Sequence, residues 1–151
     1  EEIANLRNYI ELQQTRFKNR FTYEIIMDED NDIGRVMIPS LLVQPLVENA
    51  INHGLFHKKE KGYLRIEFRK APTGEIICTI EDNGIGRQQS KVINDGNPVK
   101  PRSYGSELTK ELIDIFKLYE KMNIEMRYID KQLPETGTIV ELKIKSNLYG
   151  R

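Results

Sequence analysis

Several features that would assign a function at once are missing from this sequence. Its single cysteine, Cys78, excludes a disulfide within the chain, and its position in an apolar run is typical of a small buried hydrophobic residue. The two histidines, His53 and His57, and this cysteine lack the spacing of zinc ligands, which argues against a structural zinc site. Neither a Gly-x-x-x-x-Gly-Lys-Ser/Thr loop nor a Gly-x-Ser-x-Gly elbow occurs. The sequence is therefore not that of a P-loop protein.

The sequence also lacks an excess of charge of either sign. It has 23 Lys and Arg residues against 23 Asp and Glu residues, so its net charge is zero. Nucleic-acid binders usually carry a basic excess, and this balance argues against that class. No apolar stretch approaches the roughly 20 residues that cross a bilayer. A length of 151 residues, with 38% apolar and 30% charged residues, favours one globular domain. Because Glu1 lies in the middle of a helical pattern, we interpret the chain as part of a longer protein.

Hydrophobic periodicity predicts alternating helices and strands. Apolar residues recur at helical spacing in residues 2–18, 38–54 and 107–122, and they follow strand patterns in residues 22–28, 63–69, 75–81, 124–130 and 138–145. Pro39 and Pro45 suit helix starts, where a missing N–H costs nothing. The strands on either side of the turn at 71–74 should form a hairpin, and residues 87–104 read as a long polar loop. This order predicts an α/β (α+β) two-layer sandwich, a mixed β-sheet with helices on one face.

The segment DNGIG, residues 82–86, follows an apolar strand and precedes the long polar loop. Asparagine followed by glycine is a common turn, so these residues alone support a turn and a ligand site about equally. A carboxylate such as Asp82 is costly at a buried strand end unless it meets a donor, and the amino group of adenine is one. Gly84 and Gly86 would let the backbone approach a ligand closely. Thr138, at the start of the last strand, could share that ligand, although in isolation a plain turn at Gly137 explains this position better.

Polar residues also interrupt the helix at 38–54. Asn49 and His53 are four residues apart and share one face, and Glu48 and Asn52 share the adjacent face. A solvated face explains such residues in isolation, but Asn and His are poor helix formers and suggest contacts with a ligand. An amide oxygen and a carboxylate are hard ligands that suit Mg²⁺ bound together with phosphates.

These motifs occur in an order that resembles a known family. LLVQPLVENAINHG resembles its asparagine box, EDNGIG its first glycine box and ETGTIVELKI its terminal glycine–threonine box. SYGSELTKELIDIF stands at the second glycine box, and LRNYIELQQTRF resembles the helix that leaves a dimerisation and phosphoacceptor region. The chain thus resembles the LytS-like (YehU-like) sensor histidine kinases, within the wider family of gyrase, Hsp90, histidine kinase and MutL ATPases. The resemblance implies the Bergerat, or histidine-kinase ATPase, fold in residues 21–151, preceded by the connecting helix in residues 1–20.

The resemblance also implies cofactors and roles for individual residues. ATP and Mg²⁺ would bind in one site, with Asn49 as the metal ligand and Glu48 beside it as a catalytic residue. Asp82 would accept a hydrogen bond from the adenine amino group, and Thr138 would support the adenine end. The remaining nucleotide contacts would come from the asparagine box, the glycine boxes and an ATP lid at 87–104, and they are Asn52, His53, Gly84, Gly86, Arg102 and Gly105.

The implied function is that of a kinase domain separated from its substrate histidine. The domain would transfer the γ-phosphoryl group of ATP to a histidine on an upstream domain, for relay to a response regulator. Neither His53 nor His57 is the expected acceptor, so this chain should not phosphorylate itself. The full-length protein would be a homodimer without nucleic-acid partners. It would be anchored to the bacterial inner membrane only through its missing N-terminal region, with this domain in the cytoplasm.

Three other interpretations stay open. The second glycine box usually reads Gly-x-Gly-Leu, but Glu107 stands here where a glycine is usual, and its charge would repel a triphosphate. This favours a nucleotide-binding-deficient scaffold (a pseudokinase) on the same fold, unless Lys100 or Arg102 offsets the charge. The order of elements also fits a ferredoxin-like RNA-binding module, although the strand at 75–81 has no aromatic residue. A serine kinase of the anti-sigma type shares the ATP fold, but the first helix argues against it.

Overall fold

The computed structural model describes residues 2–28, 40–96, 105–119 and 122–146. The helices are α1 (Glu2–Arg16), α2 (Ser40–Asn49), α3 (Arg87–Asp95) and α4 (Gly105–Tyr119), and a π-helix (Ala50–Leu55) continues directly from α2. The strands are β1 (Phe21–Met27), β2 (Gly62–Lys70), β3 (Ile76–Asp82), β4 (Met122–Asp130) and β5 (Thr138–Ser146). No helix in these parts of the chain is both long and apolar enough to span a bilayer.

The described strands form one mixed sheet in the order β1-β2-β3-β5-β4. β1 runs parallel to β2, and the other neighbouring pairs are antiparallel. The register places Ile66 of β2 between Ile25 of β1 and Ile80 of β3, and Ile80 opposite Val140 of β5. This row crosses the sheet on one face, because side chains alternate between faces along each strand. The predicted hairpin of β2 and β3 and the predicted two-layer sandwich are confirmed.

The core lies between the sheet and the helices. Leu64, Ile66 and Phe68 of β2 alternate inward as predicted and are at most 1% exposed. Leu46 and Val47 of α2 belong to the same buried cluster. Burial of aliphatic and aromatic side chains from both layers supplies the main favourable contribution to folding.

α1 joins the domain through a narrow buried stripe. Leu6 and Ile10 are part of the core cluster, whereas Leu12 remains 66% exposed. The domain itself therefore buries part of the apolar side of α1. Phe17, just beyond the end of α1, packs against the ring of Phe56 with centroids 5.2 Å apart. The end of α1 thus lies beside the segment that follows the π-helix.

The other face of the sheet carries paired charges. Arg65 Nε lies 3.4 Å from Glu24 Oε1 across β1 and β2. Arg127 Nε lies 3.0 Å from Glu141 Oε1 across β4 and β5. An RNA-binding sheet needs aromatic residues on its central strands. The central strand β3, with the sequence IICTIED, offers none on either face. The ferredoxin-like interpretation is therefore not supported.

The prediction for Pro45 was wrong, because it lies inside α2 rather than at a helix start. Proline in this position removes one intrahelical hydrogen bond, and tertiary packing of α2 through buried Leu42 and Leu46 offsets the loss. Pro39 lies outside the described residues. The helix then widens into the π-helix, in which Phe56 N–H donates to Ile51 O at 2.8 Å. The sequence pattern did not predict this change, and π-helical turns often occur at functional sites.

The predicted loop at 87–104 was wrong in its first half, where α3 occupies Arg87–Asp95. The polar composition had suggested a loop, but Arg, Gln and Lys are good helix formers. Ser90 is buried at 6% exposure, and α3 contacts the π-helix. Residues 97–104 lie outside the described part of the chain.

The boundaries around α4 also differ from the prediction. α4 begins at Gly105 and ends at Tyr119, and Met122 already belongs to β4. Within this helix Ile115 is 49% exposed, whereas Ile113 is buried. Both residues are apolar, so the sequence alone did not decide which side of α4 faces the core.

Candidate functional site

Asp82 is the last residue of β3 and points into the core side of the sheet. It continues the buried alternation of Cys78 and Ile80 and is itself only 5% exposed. Burial raises the pKa of the Asp82 carboxyl to about 6, although the backbone N–H groups of Gly84 and Thr138 and the charge of Lys131 act in the opposite direction. The Gly84 N–H donates to Asp82 Oδ1 at 2.9 Å. A carboxylate has about four acceptor positions, so these two backbone donors leave it able to accept a further hydrogen bond.

Three glycines pack closely at Asp82 and the backbone next to it. A Cβ on Gly54 would lie 2.8 Å from Asp82 Oδ1, and a Cβ on Gly84 would lie 2.5 Å from Gly54 Cα. Gly137 has a φ of +117°, and a Cβ there would overlap the carbonyl oxygen of Asp82. Only glycine fits such contacts without displacing the backbone. The Ile85 N–H also donates to Gly54 O at 3.2 Å, so backbone contacts join the π-helix, the loop after β3 and the start of β5.

The loop after β3 is held by Asn83. Its N–H donates to Tyr63 O at 3.2 Å, and its Oδ1 accepts the Tyr63 N–H at 2.6 Å. Lys58 Nζ donates to the Asn83 carbonyl at 2.6 Å. The sequence did not predict these three contacts, since Asn83 followed by Gly84 is typical of a turn. No local pattern indicates that Lys58, in a run of charged residues, reaches another segment.

The polar residues of the asparagine box lie on the last turn of α2 and on the π-helix. Glu48, Asn49, Asn52 and His53 are all half-buried. Glu48 Oε1 accepts a hydrogen bond from Gln44 Nε2 at 3.2 Å. Their predicted shared faces assumed α-helical spacing throughout, whereas Asn52 and His53 lie in the π-helix. His53 immediately precedes Gly54, so the box ends at the glycine that packs against Asp82.

The structure places several predicted residues near one another. Asp82, Gly84 and Thr138 meet at adjacent ends of β3 and β5, as the Thr138 backbone contact with Asp82 shows. Gly86 has a φ of +85° and accepts the Ser90 N–H at 3.0 Å in the first turn of α3. Gly105, predicted at the start of a helix, is the first residue of α4. Arg102 lies outside the described residues.

A further contact, also missed, fixes the start of α3. Arg87 donates to Asp130 through Nε and Nη2, each at 2.8 Å. Its guanidinium lies 4.5 Å from the centroid of the Tyr128 ring. This bidentate pair holds the pKa of the Asp130 carboxyl below its usual range. The segment directly after DNGIG is thereby tied to the end of β4.

The donor set suits a nucleotide with Mg²⁺ better than a metal held by protein alone. Among the described residues, no group of three or more His, Cys, Asp or Glu side chains could hold a metal ion. Glu48 and Asn49 are consecutive residues of α2 and offer one carboxylate and one amide oxygen. Mg²⁺ commonly takes one or two protein oxygens and completes its shell with phosphates and water, so these residues fit the ion. Asp82, with acceptor capacity left in a buried glycine-lined position, fits an amino donor.

Sequence comparison identifies bacterial relatives, and YesM and LytS among them are sensor histidine kinases. No protein-family model matches the chain. It is 32% identical to YwpD of Bacillus subtilis over 143 residues, which are 95% of this chain and 48% of YwpD. It is 37% identical to the sensor histidine kinase YesM of Bacillus subtilis over 86 residues, 57% of this chain and 14% of YesM. It is 31% identical to the sensor histidine kinase/phosphatase LytS of Staphylococcus aureus over 93 residues, 61% of this chain and 15% of LytS.

Solved structures share its architecture. The catalytic domain of histidine kinase ThkA matches with a TM-score of 0.63 at 13% identity, covering 97% of this chain and 92% of that domain. The histidine kinase domain of a blue-light activated histidine kinase from Erythrobacter litoralis gives a TM-score of 0.59 at 20% identity, covering 93% of this chain and 59% of the other. The chain has the histidine kinase ATPase fold. Its resemblance to LytS-like sensor kinases is confirmed, and the chain spans about half the length of YwpD and a small part of YesM and LytS.

Proposed function

We propose that this ATPase domain binds ATP with Mg²⁺ and supplies the γ-phosphoryl group to a histidine on an upstream domain. The observation that carries the proposal is the Asp82 carboxylate, buried at the end of β3 against Gly54, with Gly84 packed on Gly54 and Gly137 on the Asp82 backbone. A buried carboxylate is costly unless it meets donors. A ligand with an amino group would offset that cost, and the relatives YesM and LytS are sensor histidine kinases.

Adenine recognition rests on Asp82 in this proposal. With a pKa of about 6, the carboxyl is mostly ionised at neutral pH and is a strong acceptor for the adenine amino group. The Gly84 N–H orients Asp82 Oδ1. Gly86 has open space where its Cβ would be, since the nearest atom is 4.0 Å from that position. Thr138 supports the same end of the nucleotide.

The phosphates and the metal ion would lie toward the asparagine box. Asn49 would ligate Mg²⁺, with Glu48 beside it as the catalytic carboxylate and with Asn52 and His53 near the phosphates. Gly105 begins α4, and a helix N-terminus favours anions. Arg102 would add a positive charge. Mg²⁺ would neutralise part of the phosphate charge, and these residues would hold the phosphates and the metal ion in position.

The whole protein's partners follow from the same proposal. The phosphoacceptor histidine would lie on a dimerisation domain upstream of α1, in a homodimer, and the phosphoryl group would pass to a response regulator. ThkA has been solved in complex with the response regulator protein TrrA, and its fold matches this chain with a TM-score of 0.58. As the resemblance to LytS-like sensor kinases implies, we propose that the domain lies on the cytoplasmic side of a membrane-anchored bacterial protein.

Calorimetric titration with ADP and Mg²⁺ tests the proposal. Wild type should bind, and Asp82→Asn should lose most of the affinity, because an amide cannot replace the ionised acceptor. Asp114→Asn is the matched control, since Asp114 is an exposed residue of α4 and its loss changes the net charge equally. Equal affinity in the two variants would contradict the role of Asp82.

A second candidate function, a scaffold that does not bind nucleotide, is favoured by Glu107 at the second glycine box. Absence of binding by folded wild type would support it. Glu107→Gly then separates the two candidates, because restored binding would identify the Glu107 charge as the obstacle. A gain in affinity is expected from the removal of repulsion with the triphosphate.

A further inference from the structure

A chain of hydrogen bonds runs from the end of α1 to the loop after β3. Arg20 Nη2 donates to the carbonyl of Lys58 at 3.0 Å. Lys58 Nζ in turn donates to the carbonyl of Asn83 at 2.6 Å. Arg20 and Asn83 belong to distant parts of the sequence, and Lys58 connects them through its backbone at one end and its side chain at the other.

The position of Arg20 is fixed by the way α1 ends. Lys18 and Asn19 have φ values of 53° and 56°, in the left-handed region that stops a helix. The carbonyl of Arg20 then accepts the Gly62 N–H at 2.9 Å, at the start of β2. The ring of Phe17 packs against Phe56, two residues before Lys58. The end of α1 and the segment carrying Lys58 are therefore in direct contact.

At the other end, Lys58 contacts the peptide unit next to Asp82. The carbonyl of Asn83 and the N–H of Gly84 belong to one planar peptide unit. Lys58 Nζ holds its oxygen at 2.6 Å, and Asp82 Oδ1 accepts from its N–H at 2.9 Å. Rotation of this unit would break both bonds at once. The ammonium group of Lys58 thus sets the direction of a donor that orients the Asp82 carboxylate.

We propose that Lys58 is a positioning residue of the nucleotide site, which orients the Asn83–Gly84 peptide unit toward Asp82 and links it through Arg20 to the end of α1. A displacement of α1 then changes nucleotide affinity without α1 touching the nucleotide. This inference rests on the proposed ATP binding, but the orientation of the peptide unit is measurable without nucleotide.

The first experiment measures amide hydrogen exchange in nucleotide-free protein by NMR. Lys58→Met should accelerate exchange of the Gly84 amide about tenfold. The variant loses the charged hydrogen bond from Lys58 to the Asn83 carbonyl, so the peptide unit rotates more easily and its N–H separates from Asp82 more often. Lys59→Met is the matched control, since Lys59 is exposed and adjacent and carries the same charge. Equal Gly84 exchange in the two variants overturns the inference. This readout stands even if wild type binds no nucleotide, an outcome that would refute only the proposed function.

The second experiment titrates the same variants with ADP and Mg²⁺. Lys58→Met should raise Kd about tenfold relative to Lys59→Met. It should also move the pH at which binding is lost to a higher value, because Asp82 loses a well-oriented donor that favours its charged form. A general loss of stability would not shift that pH. An unshifted pH midpoint in folded Lys58→Met contradicts the positioning role.

Variants that retain a donor guard against simple misfolding. Lys58→Arg and Lys58→Gln can both still donate to the Asn83 carbonyl, and they should restore Gly84 protection at least in part. If all three substitutions accelerate exchange equally, the hydrogen bond is not the cause and the inference is wrong.

A double-variant comparison tests the link to α1. Arg20→Met should raise Kd less than Lys58→Met, because it acts through the Lys58 carbonyl. When both changes are combined, the rise in Kd should equal that of Lys58→Met alone. In Lys58→Met the hydrogen bond to Asn83 is already lost, so Arg20 can no longer act on the site through it. Independent, multiplicative effects on Kd would refute the connection through Arg20.

Discussion

Gly54 and Gly84 meet backbone to backbone, so closely that a Cβ on Gly84 would lie 2.5 Å from Gly54 Cα. The contact is reinforced by the Ile85 N–H, which donates to the Gly54 carbonyl at 3.2 Å. Gly54 belongs to the π-helix and Gly84 to the loop after β3. The two predicted motifs, the asparagine box and the first glycine box, are thus parts of one packed unit, and the position of Asp82 depends on the absence of side chains in both.

Gly84→Ala should therefore destabilise the domain and disturb the site. The new methyl group overlaps backbone atoms rather than a flexible side chain, and overpacking of this kind costs about 1–3 kcal/mol or more. Urea unfolding measures the change in the free energy of unfolding. Gly96→Ala is the control, because the nearest atom to a Cβ at Gly96 is the Val92 carbonyl oxygen at 3.4 Å. Equal stability of the two variants would show that the loop shifts freely.

Nucleotide binding should depend on pH through Asp82. Because burial raises the pKa of its carboxyl to about 6, the acceptor becomes protonated in the free protein as pH falls through that value. Kd for ADP should then rise, by about tenfold per pH unit well below the pKa if only the ionised form binds. Calorimetry between neutral pH and pH 5 measures this, with the titration of free ADP determined separately. A flat profile would show that Asp82 does not contact the ligand in its ionised form.

The raised pKa of Asp82 also predicts that, through this group, the nucleotide-free domain becomes more stable, not less, as pH falls. The folded state binds a proton at Asp82 below a pKa of about 6, whereas the unfolded chain does so only near the usual 3.8. Between these values the folded state holds more protons, so the contribution of Asp82 to the free energy of unfolding increases as pH falls. Urea unfolding of wild type and Asp82→Asn across this window should show that increase only in wild type. Parallel curves would contradict the raised pKa.

The sequence was informative where chemistry and periodicity agreed. The alternation in β2 and the apolar run of β3 predicted the strands, and an aspartate at the end of such a run predicted a buried acceptor at Asp82. Glycines in the same motif predicted a close backbone approach, which Gly84 now shows. These signals are local, since each depends on residues adjacent in the chain. The roles given to individual site residues stay predictions until a ligand is measured.

Features that depend on distant segments could not be predicted from the sequence. Lys58 lies in a run of charged residues that is typical of a solvent-exposed loop, and only the fold brings it to Asn83. Arg87 likewise meets Asp130 across a separation of 43 residues. The π-helix has no compositional signature, and α3 was hidden by its polarity because helix propensity is a weak signal. The two side-chain contacts, the π-helix and α3 all depend on tertiary contacts.

Cys78 should be chemically inert in the folded domain. It is completely buried in β3, and burial raises the pKa of its thiol well above the usual range, so little reactive thiolate forms. Iodoacetamide at pH 8 should leave native protein unmodified and label it readily in urea, as measured by mass spectrometry. Rapid labelling without denaturant would show that the sheet opens locally around β3.

The pair of Arg87 and Asp130 should control the start of α3 more than the stability of the whole domain. Both side chains are at least 40% exposed, so solvent screening limits the pair to roughly 0.5–1 kcal/mol despite its bidentate geometry. Arg87→Lys removes the bidentate contact and the stacking on Tyr128 but keeps the charge. Exchange of the Ser90 amide, which donates to Gly86 O, should accelerate several-fold, while the urea midpoint changes little.

Arg127→Lys is the control for that prediction, because Arg127 pairs with Glu141 across β4 and β5 and has no contact with α3 among the ion pairs of the described residues. Asp130→Asn completes a double-mutant cycle in which the two losses should be non-additive. The pairing lowers the pKa of Asp130, so its contribution is present above the usual carboxyl pKa and disappears as pH falls through the lowered value. Ser90 exchange, corrected for its intrinsic pH dependence, should therefore differ between wild type and Arg87→Lys at neutral pH and converge in acid. If Arg127→Lys accelerates Ser90 exchange equally, the effect is general and α3 is not anchored by Arg87.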